Sequence, residues 1–364
     1  LSLHDALPIC IRKRIFTVRL NESCRQEIHN EKKSFLTQVK RLSDGNITNI
    51  NLSLTLSVDE VDNRGAVVNR RWLVHHEIDA RDSRLKQLSS DLGLLPWIGV
   101  PTPLNGTQGQ GLSSSGGRIF CFLPLPTDAD ARTGLPVHLH GYFGVTDDRR
   151  GLKWPGLDCQ NDCTAEWNVM LLEEVGGQAY ASMLLYLTEK LAREPGDPSE
   201  KANVAYLSWP TVQNVQSHWE GFLKPMFFML SSKNVFWTPA NGGKWLRPQD
   251  VYLNRMTNSN EIKAAVLESL AQANEPVVTL PDHVMNIIDS MSWATDSITP
   301  GYLRNLLKLK RKGSWDIEAL PREKKLCLLE YVLQDRNVHD LEGVPLLPLA
   351  NGNFVEFRPL QYNR

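Results

Sequence analysis

Asp147-Asp148-Arg149-Arg150 sets two guanidiniums beside two carboxylates, directly after an apolar strand pattern and before Gly151. A guanidinium offers planar, forked N–H donors that match phosphate or carboxylate oxygens, so a pair at a strand end could grip an anion. The competing reading is a solvated turn whose charges pair with one another, because exposed ion pairs are common and individually weak. His138 and His140 share a strand face and could chelate a metal across the pleat. No third ligand is evident, so they read as packing or solvent-facing residues. His75 and His76 straddle opposite faces of their strand. Cys159 and Cys163 lie four apart beside Asp158 and Asp162, without the second cysteine pair of a zinc ribbon. The serines and glycines of Gly106–Gly117 lack the strand-turn-helix context that exposes a serine nucleophile. These patterns predict no catalytic residue and no metal site.

The elements that would position these residues are visible in the periodicity. Ile28, Phe35, Val39 and Leu42 give Ser23–Leu42 a helical spacing, stopped by Ser43-Asp44-Gly45. Ile50, Leu52, Leu54, Leu56 and Val58 alternate with polar residues, predicting a strand with one buried face. A turn at Asp62–Gly65 returns the chain along Trp72, Val74 and Ile78 as an antiparallel neighbour. Thr102–Gly117 is glycine- and serine-rich and predicts a mobile surface loop. A strand over Ile119–Leu123 should stop before Pro124 and Pro126. In the next strand Val137, Leu139, Phe143 and Val145 point one way and His138, His140 and Tyr142 the other. Trp167, Leu171, Val175, Ala179, Met183, Leu187 and Leu191 fall every fourth position, predicting one long helix over Thr164–Arg193 that Gly176-Gly177 weakens. Pro195–Pro198 ends it and marks a domain boundary.

Beyond that boundary helical patterns lie near residues 215–230, 260–273, 281–291, 300–311 and 322–335, with Thr299-Pro300 as a capping pair. Two related hairpins, VFWTPANGGKW at 235–245 and LLPLANGNF at 346–354, each carry Ala-Asn-Gly in the turn, where Asn-Gly suits positive φ. Trp209, Trp219, Trp237, Trp245, Trp293 and Trp315 are core candidates, some of them anchors for a protein partner. The fold class predicted is α+β: a mostly antiparallel sheet with packed helices over residues 11–197, then a helical platform with two hairpins over 198–364.

The 364 residues are 41% hydrophobic and 22% charged, with a net charge of −1. That is ordinary globular composition, with no overall field to attract nucleic acid or an anionic membrane. No apolar run approaches the ~20 residues of a membrane span. Six cysteines and no signal peptide fit reduced thiols in the cytoplasm.

Phe120–Arg150, FCFLPLPTDADARTGLPVHLHGYFGVTDDRR, resembles the repeat module of sacsin-like proteins, in which each module begins with an ATPase domain of the heat-shock protein 90 type. The resemblance continues through GLKWPG at 151–156, SWPTVQNVQSHW at 208–219, GGKW at 242–245 and LEGVPLLPLANGNFVEF at 341–357, covering most of residues 33–357. It implies a chaperone or co-chaperone scaffold in the cytoplasm, with protein clients such as intermediate filaments and the heat-shock protein 70 machinery as partners. The family's ubiquitin-like and J-type modules are not recognisable here. In the related ATPase superfamily a basic residue after the nucleotide pocket contacts the terminal phosphate, which makes Arg149, Arg150 and Lys153 the positions to test. A third reading is an interaction module uncoupled from nucleotide. The family's Glu- and Asn-bearing helix and Asp-x-Gly-x-Gly loop are missing: Asp44-Gly45 lacks the second glycine, and Gly109-Gln110-Gly111 lacks the acid. There is no G-x-x-x-x-G-K-S/T loop either, so no cofactor is expected and the chain should not hydrolyse ATP alone. Leu1–Ile9, LSLHDALPI, reads like a translated sequencing adaptor joined to a truncated coding sequence. Residues 1–10 are accordingly expected to be unstructured, and the chain to be an internal fragment.

Overall fold

A computed structural model of the chain describes residues 16–43, 48–62, 64–104, 116–125, 131–156, 162–309, 315 and 317–359. Leu1–Ile9, Asp44-Gly45, most of the glycine-rich loop and Cys159 lie outside them. The chain forms two compact units, one of Leu1–Leu187 with Leu207–Met226 and one of Thr188–Tyr206 with Phe227–Arg364. The class is α+β with mainly antiparallel sheets.

In the first unit the leucine alternation forms β2 (Asn49–Asp62), paired antiparallel along its length with β3 (Val67–Asp79). The Asp62 carboxylate closes the turn by accepting the Arg64 and Ala66 N–H groups, both at 2.8 Å. With β1 (Phe16–Leu20), β4 (Trp97–Pro103), β5 (Ile119–Cys121), β6 (Leu123–Pro124) and β7 (Leu139–Gly141) they make a sheet of order β1-β2-β3-β4-β7-β5-β6, in which only β5–β7 is parallel. Helix α1 (Glu22–Ser43) packs on β2, while α2 (Ser83–Leu92) is capped by Asp82.

Two expectations change here. The β2 alternation does not give one buried face: Ile50 is buried but Leu52, Leu54, Leu56 and Val58 are half-buried. Among the described side chains of α1 only Cys24 is buried, so the helix covers the strand loosely. The strand expected over Ile119–Leu123 instead folds back at Phe122, which has φ 62°, pairing Phe120 with Pro124.

The expected long helix runs unbroken over 163–193, with one departure inside it: α3 (Cys163–Met170) passes through a π-turn over Leu171–Gly176 into α4 (Gly177–Arg193). Residues four apart overshoot the about 3.6 residues of an α-turn, so the apolar stripe would wind off the core; a wider π-turn brings it back. All seven stripe residues are buried. The glycine pair allows close packing: a Cβ on Gly176 would lie 3.3 Å from Ile98 Cδ1, and one on Gly177 2.8 Å from the Phe222 carbonyl oxygen.

The second unit holds α5 (Pro198–Leu207) and α6 (Leu223–Leu230) in part, the hairpin β8 (Phe236–Thr238) with β9 (Lys244–Leu246), and, toward the C-terminus, β13 (Leu347–Pro348) with β14 (Phe354–Val355). Asn241 and Gly242 take φ of 54° and 84° in the first turn, and Gly352 takes 89° in the second. Between the hairpins lies a three-stranded parallel sheet that periodicity does not reveal. Strands β10 (Tyr252–Leu253), β11 (Val277–Val278) and β12 (Asp296–Ser297) alternate with α7 (Asn260–Gln272), α8 (Asp282–Ser290) and α9 (Pro300–Leu309) in the order β11-β10-β12. Two-residue strands are too short to show alternation. Helix α10 (Arg322–Val332) packs on α7, and Arg304, 1% exposed, pairs with Asp335 at 2.6 Å.

Candidate functional site

Strand alternation places Trp72 and His76 of β3, Trp97 of β4, Phe120 of β5, and His138, His140 and Tyr142 around β7 on one side of the first unit's sheet. Their rings interlock. His76 stacks on Trp97 (centroids 5.6 Å apart) and meets Phe35 of α1; His138 stacks on Trp72 at 5.7 Å; Trp97 meets His140 edge-on at 4.8 Å. Phe122 closes the array against Tyr142 at 4.7 Å and His140 at 5.6 Å. These rings are half-buried, and Phe122 is 58% exposed.

The three histidines are held neutral. Burial, reinforced by His75 and His140, lowers His76 to about 4, and burial with nearby Arg118 lowers His138 to about 4. Burial also lowers His140. Two of the rings accept backbone N–H groups: His138 Nδ1 from Arg118 at 3.0 Å and His140 Nε2 from Phe122 at 3.2 Å. Those bonds engage ring nitrogens that a chelate across the pleat would call on. Among the described residues no group of three or more histidine, cysteine, aspartate or glutamate side chains is placed to hold a metal ion. Among the described residues His76 Nδ1 and Trp97 Nε1 are buried without a hydrogen-bond partner. The rings of the face are thus neutral and partly open, suited to contact with apolar side chains.

The opposite side of the same strands carries a closed polar network. His75 takes Ser53 Oγ on Nδ1 at 2.8 Å and Glu77 Oε2 on Nε2 at 3.0 Å. Glu77, fully buried, also accepts Asn49 Nδ2 at 2.6 Å and Gln178 Nε2 from α4 at 2.7 Å. Gln178 Oε1 in turn accepts Arg81 at 2.5 Å, and Arg81 pairs with Asp79. Serine, histidine and glutamate are the types of a hydrolase relay, but this carboxylate's lone pairs tie β2, β3 and α4 together.

The Asp147–Arg150 turn is anchored by Asn168 of α3, whose amide bonds the Gly144 N–H and C=O, each at 2.7 Å, and the Lys153 C=O at 2.8 Å. Three expected phosphate contacts separate here. Arg150 lies 4.0 Å from Asp148, and Lys153 sits 3.7 Å from Asp147 and 3.5 Å from Asp162. Arg149, with φ 56°, makes no ion pair among the described residues.

Sequence reasoning singled out His138, His140 and Tyr142 but missed Trp72, Trp97, Phe120 and Phe122 as their companions. For Trp72, Trp97 and Phe120 the signal was in the register, since they share one strand parity once the β3–β4–β7–β5 order is known, whereas Phe122 is placed by the fold-back between β5 and β6. Among the described residues no helix is long and apolar enough to cross a membrane.

The chain is similar to human sacsin, with 33% identity over 362 residues, spanning 95% of this chain and 8% of the length of sacsin. No protein-family model matches the chain. No solved structure matches it.

Proposed function

Since the chain is a sacsin-like region, we propose that it is a non-enzymatic segment of a chaperone scaffold whose aromatic and histidine face receives apolar segments of protein clients. Phe122 carries this reading. A bulky residue at φ 62° is strained, and holding it 58% exposed beside His140 gains little for the fold itself. Exposed aromatic surface of this kind is what a client's apolar side chains would bury. Under this reading the clients are cytoskeletal proteins, intermediate filaments among them, the heat-shock protein 70 machinery acts alongside, and the setting is the cytoplasm. The test is suppression of light scattering by a heat-unfolded enzyme such as citrate synthase. The chain should suppress it and Phe122→Gly should not; equal suppression by both, or none by the parent, overturns the reading.

Arg149 favours a second reading, that of a transducer segment reaching the nucleotide of an ATPase domain placed ahead of this region in a longer sacsin-like protein. A guanidinium without an ion pair among the described residues, in a turn clamped by Asn168, is preorganised to meet phosphoryl charge. In such a protein Arg149→Ala should lower single-turnover hydrolysis by about tenfold or more, while Arg150→Ala, already beside Asp148, should change it little. Equal hydrolysis in Arg149→Ala and parent sinks this reading.

A further inference from the structure

Trp237 lines two cavities of the second unit, and their charges are opposite. The larger, about 520 Å³, is walled by Tyr206, Trp237, Leu267 and Val277; among the described residues its charged lining is Glu268 and Glu275. The smaller, about 310 Å³, is lined by Trp237 and Trp245 with Lys201 and Lys244, and no carboxylate. Helix α5 and the β8–β9 hairpin border both: Ser199 and Pro239 line the first, Pro198 and Gly243 the second. The two therefore lie side by side along one pair of elements. Trp209, Trp219, Trp293 and Trp315 are buried, whereas Trp237 and Trp245 are half-buried beside these cavities.

The walls are held in place. The Tyr206 hydroxyl accepts the Trp237 N–H at 2.9 Å, and its ring meets Trp245 edge-on at 6.0 Å. Gly243, with φ 90°, lies against the Trp237 indole, where a Cβ would stand 3.4 Å from the ring. Glu275 accepts the Tyr302 hydroxyl, and Glu268 is fixed by Lys324 at 2.6 Å. Lys201 donates to the Glu194 carbonyl at 2.6 Å. Among the described residues neither Lys201 nor Lys244 pairs with a carboxylate, so the cationic cavity keeps its charge for a ligand.

We infer that these paired cavities bind one extended peptide segment carrying a basic and an acidic side chain. The methylene stem of an arginine or lysine lies along Trp237, Leu267 and Val277 with its head toward Glu275, the carboxylate that Lys324 does not hold, and the indole favours the cation as well. The acidic side chain enters the second cavity between Lys201 and Lys244. The size of the larger cavity suits a single long side chain better than a folded domain. The inference rests on the scaffold reading only for the class of ligand, a protein segment, and uses different residues.

The probes are fluorescein-labelled octapeptides of glycine and serine bearing one arginine and one glutamate two, three or four positions apart, in both orders, read by fluorescence polarisation with the full chain. At least one spacing and order should bind saturably below about 1 mM, a weak affinity on the usual scale. Replacing its arginine by norleucine or its glutamate by glutamine should each weaken binding about fivefold or more. Glu275→Gln should lower affinity for the arginine peptide and leave the norleucine peptide unchanged. Lys201→Glu with Lys244→Glu should abolish binding, and a peptide with lysine in place of glutamate should restore it, an outcome that a misfolded variant cannot give. No saturable binding at any spacing, or equal affinity for all peptides, overturns the inference. Phe122→Gly should lose aggregation suppression and keep peptide binding; unchanged suppression in that variant beside intact peptide binding sinks the scaffold reading alone, and no peptide binding by a parent whose suppression depends on Phe122 sinks this inference alone.

Discussion

His75 and His76 are neighbours in β3, yet the two sides of one sheet treat them in opposite ways. His75 points into a network where Ser53, Glu77, Asn49 and Gln178 satisfy one another under the helices. His76 points the other way into stacked rings, with a buried nitrogen that has no hydrogen-bond partner among the described residues. Strand alternation decides which side each histidine takes; what covers that side decides whether its polarity is satisfied. The His75 side also buries Leu73, Ile98, Val100, Ile119 and Leu139, with the polar network set among them, whereas the aromatic side, met by Phe35 of α1, stays half in the open. The closed side supports stability, and the open side is left available for contact.

The largest expected effect tests the closed side. Glu77→Ala removes the acceptor shared by His75, Asn49 and Gln178, leaving buried donors unsatisfied. The loss should be on the order of 3 kcal/mol, and should show as a lower urea midpoint with unchanged slope. Glu77→Gln keeps one acceptor oxygen and should lose less than half as much. If Glu77→Ala costs under about 1 kcal/mol, the scale of an ordinary single substitution, the two sides do not differ as described.

How much of this was legible beforehand depends on element length. The β2–β3 pair, with thirteen partnered positions, was plain from alternation and a turn signal. The split of His138, His140 and Tyr142 from Val137, Leu139 and Phe143 was plain too. The array of rings was not, because Trp97, Phe120 and His138 are distant in sequence and only the β4-β7-β5 order brings their strands together. Four-residue spacing identified the buried stripe of Trp167–Leu191 but not its π-turn, since the drift of such a stripe can be absorbed in several ways. The parallel sheet of the second unit left no trace in periodicity because each strand is two residues long.

Acid should act on the open side first. The folded values of His76 and His138, about 4, lie below the ordinary 6.5, and His140 is lowered as well. Below about 6.5 the unfolded chain therefore binds protons that the folded chain refuses. Stability is fully present above that value, falls as pH drops from about 6.5 toward about 4, and loses no more from His76 and His138 below it. The urea midpoint should accordingly be lower at about pH 5 than at about pH 7.5, within the range where histidine titrates. His76→Phe, which keeps a ring between Phe35 and Trp97, should flatten this dependence. An unchanged slope against pH in that variant would move the effect elsewhere.

The smallest effect on stability separates the two sides most sharply. Phe122 sits at φ 62°, where glycine pays no steric penalty, and its ring is 58% exposed. Phe122→Gly relieves the backbone but loses ring contacts with His140 and Tyr142 and loosens the unfolded chain. These terms oppose one another, so the urea midpoint should move by no more than about 1 kcal/mol in either direction. The N–H that bonds His140 is backbone and survives the change. A side chain this dispensable to the fold is the one whose removal should abolish suppression of client aggregation. A loss of stability comparable to that of Glu77→Ala would instead make Phe122 part of the core, and the open side of the sheet would be structural like the closed one.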